Sequence, residues 1–167
     1  MPIGNAILMR MGIYSDKVHD VKDIPDGATI AIPNDPTNGG RGLLLLQRAG
    51  LLKLKDGVGM KATPKDVVDN PKHLKFKELE AAQLPRSLTD VDAAAITMNY
   101  VMSGGLDVKK QNIFLEPKDE PLAVMIIAAR NKDKDKEAYK ALVKAYQSEA
   151  VKKFIADKYK GTIEPAF

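Results

Sequence analysis

A chain of 167 residues, 44% apolar and 29% charged, has the size and composition of a folded domain with a sizeable core, which argues against disorder. Its net charge of +4 is modest and its lysines alternate with acids, as in Lys132 to Lys136, so they describe a solvated surface; with no tryptophan and 5% aromatic residues, this argues against a nucleic-acid or carbohydrate platform. The absence of cysteine removes disulfides, thiolate metal sites, cysteine nucleophiles and lipid attached through cysteine.

In chain order, Ala6 to Tyr14 reads as a strand, entered as early as Ile3, with Gly4, Asn5 and Gly12 as weak points. The apolar run at the N-terminus is too short for a membrane span and has no basic leader, so no signal peptide or membrane insertion is expected and the chain as expressed is expected to be cytoplasmic. Ser15 to Gly27 is polar and ends in the turn Ile24-Pro25-Asp26-Gly27. Ala28 to Ile32 is a short buried strand, followed by the turn formers Asn34 to Asn38 and a helix ending at Gly50, with Asp35 or Thr37 as its cap. Thr63-Pro64-Lys65-Asp66 carries a helix-start signature, closed by Asn70-Pro71, and Leu74 to Leu79 alternates as a half-exposed strand.

Further on, Leu84 to Asp90 is a short helix, Val91 to Thr97 a buried strand, Asn99 to Gly104 a helical turn and Ile113 to Glu116 a short strand. Leu122 to Ala129, the most continuous apolar run, is expected to be a central strand. Asp133 to Ala145 and Ser148 to Tyr159 are amphipathic helices, the first with Tyr139, Leu142, Val143 and Tyr146 on one face, the second with Val151, Phe154 and Ile155; an extended tail follows. Strands alternating with helices predict a single α/β domain over residues 1–167, with a mostly parallel sheet flanked by helices.

The chemistry concentrates at the start of the helix after Ile32. Free backbone N–H groups, the positive end of the helix dipole and Arg41 in the first turns suit an anion, above all a carboxylate held in a bidentate fork. Gly39 and Gly40 lack side chains that would keep a ligand off the backbone. From spacing alone, a surface arginine on an ordinary α/β helix accounts for the same residues. His19 and His73 sit in polar stretches with no neighbour at metal-ligand spacing. There is no nucleophile elbow, P-loop, dinucleotide fingerprint or carboxylate pair near a histidine, so no catalytic residue, metal or cofactor is expected and the chain does not read as an enzyme.

The run Ala28-Thr-Ile-Ala-Ile-Pro-Asn-Asp-Pro-Thr-Asn-Gly-Gly-Arg41 resembles the signature of the methionine-binding lipoprotein family (MetQ/NlpA), the substrate-binding components of methionine ABC importers. Met11 to Ser15, Lys75 to Arg86, Asp90 to Ala95, Tyr146 to Ser148 and Pro165 to Phe167 fit the same family. The resemblance implies a type II periplasmic-binding-protein fold, of which this chain holds the second lobe, hinge strands near 6–14 and 122–129, and C-terminal helices over 133–159. It implies a ligand site at Asn34, Thr37, Asn38, Gly39, Gly40, Arg41, Thr97 and Asn99, with Arg41 clamping the substrate carboxylate and an importer permease as the family's partner.

Three family features differ. Thr97 and Met98 follow the strand where the family has asparagine; Pro121-Leu122-Ala123-Val124 stands for a Pro-Tyr-x-Asn motif; Ile7 to Arg10 replaces a polar His-x-Glu-Pro approach. All run from polar to less polar, which points to an engineered single lobe, repacked to stand alone or to self-associate, with a natural truncation as the alternative. The expected function is a methionine-binding lobe whose binding is weak or lost; residual binding of L-methionine or another amino acid through Arg41, and a homodimer through the apolar strands, are the other readings. Replacing Arg41, taken as a surface or cleft residue, is expected to change stability little.

Overall fold

Local sequence marks out the elements, and long-range pairing decides their arrangement. In the computed structural model, which describes residues 1–167, the strands are β1 (Pro2–Leu8), β2 (Met11–Tyr14), β3 (Thr29–Pro33), β4 (Lys53–Leu54), β5 (Val67–Asp69), β6 (Lys75–Leu79), β7 (Ala93–Thr97), β8 (Asn112–Leu115), β9 (Val124–Ala128) and β10 (Glu164–Pro165). The helices are α1 (Pro36–Arg48), α2 (Leu84–Ser87), α3 (Met98–Ser103), α4 (Val108–Gln111), α5 (Glu137–Tyr146) and α6 (Glu149–Tyr159). Contacts divide the chain into two compact units, Met11–Glu116 and Met1–Arg10 with Pro117–Phe167. The single strand expected over Ala6–Tyr14 is therefore two strands, β1 and β2, one in each unit.

The Met11–Glu116 unit is built on a five-stranded sheet in the order β6-β3-β7-β2-β8. Its middle strand, β7, is small or β-branched throughout and buried at every position, as a strand covered on both faces must be. β3 runs parallel to β6 and β7, whereas β2 runs antiparallel to β7 and β8. The sheet is thus mixed, where the alternation of elements predicts a mostly parallel one; two of its four pairings, both made by β2, are antiparallel. Helix α1 covers it with Leu43, Leu45 and Leu46, and Ile13, Ile30 and Ile32 complete the core.

The start of α1 is specified locally. Asp35 accepts the Asn38 N–H at 2.9 Å, Pro36 holds the first helical position, and Gly50 beyond the last turn adopts φ 76°. At Thr63-Pro64-Lys65-Asp66 the reciprocal capping box forms as expected, but no helix follows. A single 3-10 turn gives way to β5, because Val67 and Asp69 pair with Leu54 and Lys53 of β4.

In the other unit, β1 lies between β10 and β9, antiparallel to both. β9 is consequently an edge strand and not the central one its apolar run predicts, with Ile126 48% exposed. Helix α5 rests on β1 where Gly4 leaves no room for a side chain: a Cβ there would sit 2.8 Å from Val143. Of the apolar faces expected on α5 and α6, Ile155 is buried, whereas Leu142 and Phe154 are exposed.

Asp92, just ahead of β7, fastens β3 and the loop after β2. Its carboxylate accepts the Thr29 N–H at 2.8 Å and the Lys17 ammonium at 3.0 Å. The Thr29 amide, opposed by partial burial and helped by Lys17, holds this carboxyl below the usual aspartate range. A depressed folded pKa adds stability above the unfolded value, near pH 4, which is lost as pH falls through the folded one. Asp92→Asn should therefore lower the urea midpoint at pH 7, and the gap between variant and parent should close as the pH drops below about 4. Parallel urea titrations across pH 2 to 7 measure it; a gap that persists undiminished at about pH 2 contradicts the assignment.

Candidate functional site

The loop expected to grip a ligand lies where β3 runs into α1. The Asn34 N–H donates to the Leu79 carbonyl at 2.8 Å, and Asp35 caps the helix with its own carboxylate, which also accepts from the Asn38 side-chain amide at 3.1 Å. The positive end of α1 is thus already answered by an anion of the chain itself. A cavity of about 180 Å³ opens beside it, lined among others by Asn34, Asp35, Gly39, Gly40, Lys61 and Glu78. Gly39 and Gly40 are buried, and the room a Cβ would take belongs to protein: at Gly39 it would stand 2.7 Å from the Pro33 carbonyl oxygen, and at Gly40 it would overlap the Met60 carbonyl. Their lack of side chains lets α1 approach the end of β3 and the Gly59–Lys61 turn.

Arg41 is 4% exposed and points inward, not into that cavity. Its Nε donates to Glu116 Oε1 at 2.8 Å and its Nη2 to Glu116 Oε2 at 2.5 Å, a bidentate fork between two side chains that are each 5% exposed. Glu116 Oε2 also accepts the Met11 N–H at 2.6 Å, while the Glu116 N–H donates to the Met11 carbonyl at 3.0 Å. This corrects the expectation of an arginine on the surface or in an open cleft. The guanidinium does bind a carboxylate in a fork, and that carboxylate belongs to Glu116. Sequence reading missed Glu116 because 75 residues separate it from Arg41 and no local pattern links them.

The remaining residues fall at two places. Thr97, 8% exposed, lies opposite Met11 in the β2–β7 ladder, so it stands at the same end of the sheet as the Arg41–Glu116 pair. Asn99, in the first turn of α3, is exposed, as are Asn34 and Thr37. No group of three or more histidine, aspartate or glutamate side chains comes together to hold a metal. His19 is exposed, and His73, also exposed, faces Asp26 across 2.9 Å.

This arrangement, a buried arginine and a capped helix start at the end of a mixed sheet, has relatives. The family model described as NlpA lipoprotein matches residues 1–167. The chain belongs to the NlpA lipoprotein family. Curated relatives within reach of this family assignment include the probable D-methionine-binding lipoprotein MetQ of Pasteurella multocida, 47% identical over 149 residues, which cover 89% of this chain and 54% of that protein. The D-methionine-binding lipoprotein MetQ of Escherichia coli K12 is 49% identical over 151 residues, covering 89% of this chain and 55% of its own length. Among solved structures, a nutrient binding protein from Burkholderia cenocepacia bound to methionine superposes with TM-score 0.93 at 48% identity, across 100% of this chain and 70% of that one. This NlpA-family chain therefore spans about half the length of the curated relatives it matches. No helix in it is long and apolar enough to cross a membrane.

Removing either partner of the buried pair leaves the other charge desolvated and unmatched, which costs about 3–5 kcal/mol. Arg41→Ala should accordingly destabilise the chain by roughly that amount, against the small change the sequence reading expects. Exchanging both side chains for methionine, of similar volume, should cost less than either single change. Denaturant unfolding of the two single variants and the double variant measures the coupling; additive effects would mean that the pair does not act as a unit.

Proposed function

We propose that this chain is a lobe of a methionine-binding substrate-binding protein, contributing Asn34, Thr37, Asn38, Gly39, Gly40, Arg41, Thr97 and Asn99 to the ligand site, and that the 167-residue chain by itself binds methionine weakly or not at all. The observation that carries this is the fork of Arg41 on Glu116, which engages Arg41 with a carboxylate of the chain itself. A free amino acid has to replace contacts to a charged group that are worth roughly 1.5–3 kcal/mol each. The relatives named for D-methionine binding, and the one solved with methionine, support the ligand class.

Thr97, Leu122, Val124 and the run Ile7 to Met9 stand where the resemblance leads one to expect polar residues, and this pattern supports an engineered lobe. In the longer family setting, the partner of such a lobe is an importer permease. Calorimetry and amide-resolved NMR with L-methionine test the reading. The expected outcome is a Kd of about 1 mM or weaker, with shifts centred on residues 34–41 and 97–99 and on Met11 and Glu116 as the fork opens. A Kd of about 10 μM or tighter would sink the weak-binding claim, and shifts centred elsewhere would sink the site.

A second reading rests on β9. Its edge carries no charge or proline between Val124 and Ala128, and its irregular registers against β1 place the extra residues on β1, so β9 itself offers a regular, unblunted edge. Self-pairing of two such edges would give a homodimer with two-fold symmetry. Light scattering at millimolar protein should then report the dimer mass, and Ile126→Lys should return it to the monomer; a monomer throughout rejects this reading.

A further inference from the structure

We infer that Glu116 fills, from within the chain, a binding site for small carboxylates formed by Arg41 and the Met11 backbone, and that it competes there with any carboxylate ligand. The inference rests on the proposed role of Arg41 in carboxylate recognition.

The geometry has the parts of a built anion site. One carboxylate receives two guanidinium N–H groups, at 2.8 and 2.5 Å, and one backbone N–H, at 2.6 Å. Three donors converging on a single carboxylate, all nine-tenths or more buried, form the constellation by which proteins recognise a free carboxylate. Here the carboxylate arrives on the end of β8, through a side chain whose backbone is itself held to Met11 at 3.0 Å. Being covalently placed, it needs no association step, so it holds the donors at a far higher effective concentration than a solute reaches. The site is selective for planar carboxylates over spherical anions because the fork matches two coplanar oxygens.

Two variants and two pairs of solutes test this. Glu116→Ala empties the position, and Glu116→Gln keeps its shape without the charge, so that a folded protein is available even where the smaller side chain fails. Sodium acetate is compared with sodium chloride at equal ionic strength, and L-methionine with L-methioninamide, which lacks the carboxylate. Acetate should raise the melting temperature of Glu116→Ala by several degrees over chloride and leave the parent chain and an Arg41→Ala/Glu116→Ala double variant unmoved. Glu116→Gln should bind methionine at least ~10-fold more tightly than the parent, with no such gain for methioninamide.

Equal acetate response in parent and Glu116→Ala, or a methionine affinity of folded Glu116→Gln within about twofold of the parent, overturns the inference. Acetate rescue with no preference for methionine keeps the carboxylate site and discards the methionine reading. Strong methionine binding by the parent, with the Arg41 and Glu116 resonances unchanged, does the reverse.

Discussion

The ion pair between Arg41 and Glu116 is the constraint around which the Met11–Glu116 unit is arranged. It joins the first turns of α1, the residue that follows β8 and the first residue of β2, three pieces of chain that meet only in the folded state. Both side chains are removed from water, so neither tolerates separation: a register in which β8 slipped by one residue would turn the glutamate to the other face and leave a buried guanidinium without its counter-charge. Compared with an apolar pair of the same volume, such a bridge adds little net stability. Its force lies in what it forbids, since the misregistered alternatives carry a desolvated charge. The apolar core of Ile13, Ile30, Ile32 and Leu43 makes no such distinction on its own, because branched side chains repack with modest loss.

What the sequence makes legible follows from the distance over which each feature is determined. The cap, the first-position proline and the closing glycine of α1 lie within fifteen residues of one another, from Asp35 to Gly50 by number, and each forms as expected. The capping box at Thr63 is equally local and equally correct, yet the helix it announces is absent, since Val67 and Asp69 gain more from β4 than a lone turn could supply. β9 shows the opposite limit: its apolar run says that it is covered, but not on how many sides, and a strand at an edge with Ile126 half exposed reads the same as one in the middle. Antiparallel insertion of β2 between β7 and β8 is likewise a matter of topology, which residue alternation does not encode.

The candidate site divides along the same line. The type of chemistry was readable: an arginine with a fork for a carboxylate, next to a helix start that favours negative charge. The occupants were not. Asp35 answers the helix start from the adjacent position, and the sequence allowed it as a cap, whereas Glu116 answers Arg41 from 75 residues away. Nothing about an acid at the end of a short strand distinguishes it from a surface residue until the strand is placed beside β2.

Both cationic features of the Met11–Glu116 unit are therefore matched by carboxylates before any solute arrives, and the consequence for affinity can be put as arithmetic. A ligand that needs the Nε and Nη2 donors of Arg41 that Glu116 holds sees only the fraction of molecules in which Glu116 has withdrawn, so its apparent dissociation constant is the intrinsic one divided by that fraction. If the pair were open in about one molecule in a hundred, an intrinsically micromolar site would read as roughly 0.1 mM; at one in ten thousand it would read as roughly 10 mM. The penalty is set by the Arg41–Glu116 pair and not by a ligand's other contacts, so improving those contacts cannot remove it. Only a second contribution that favours the withdrawn state can, and it has to come from contacts other than the fork itself.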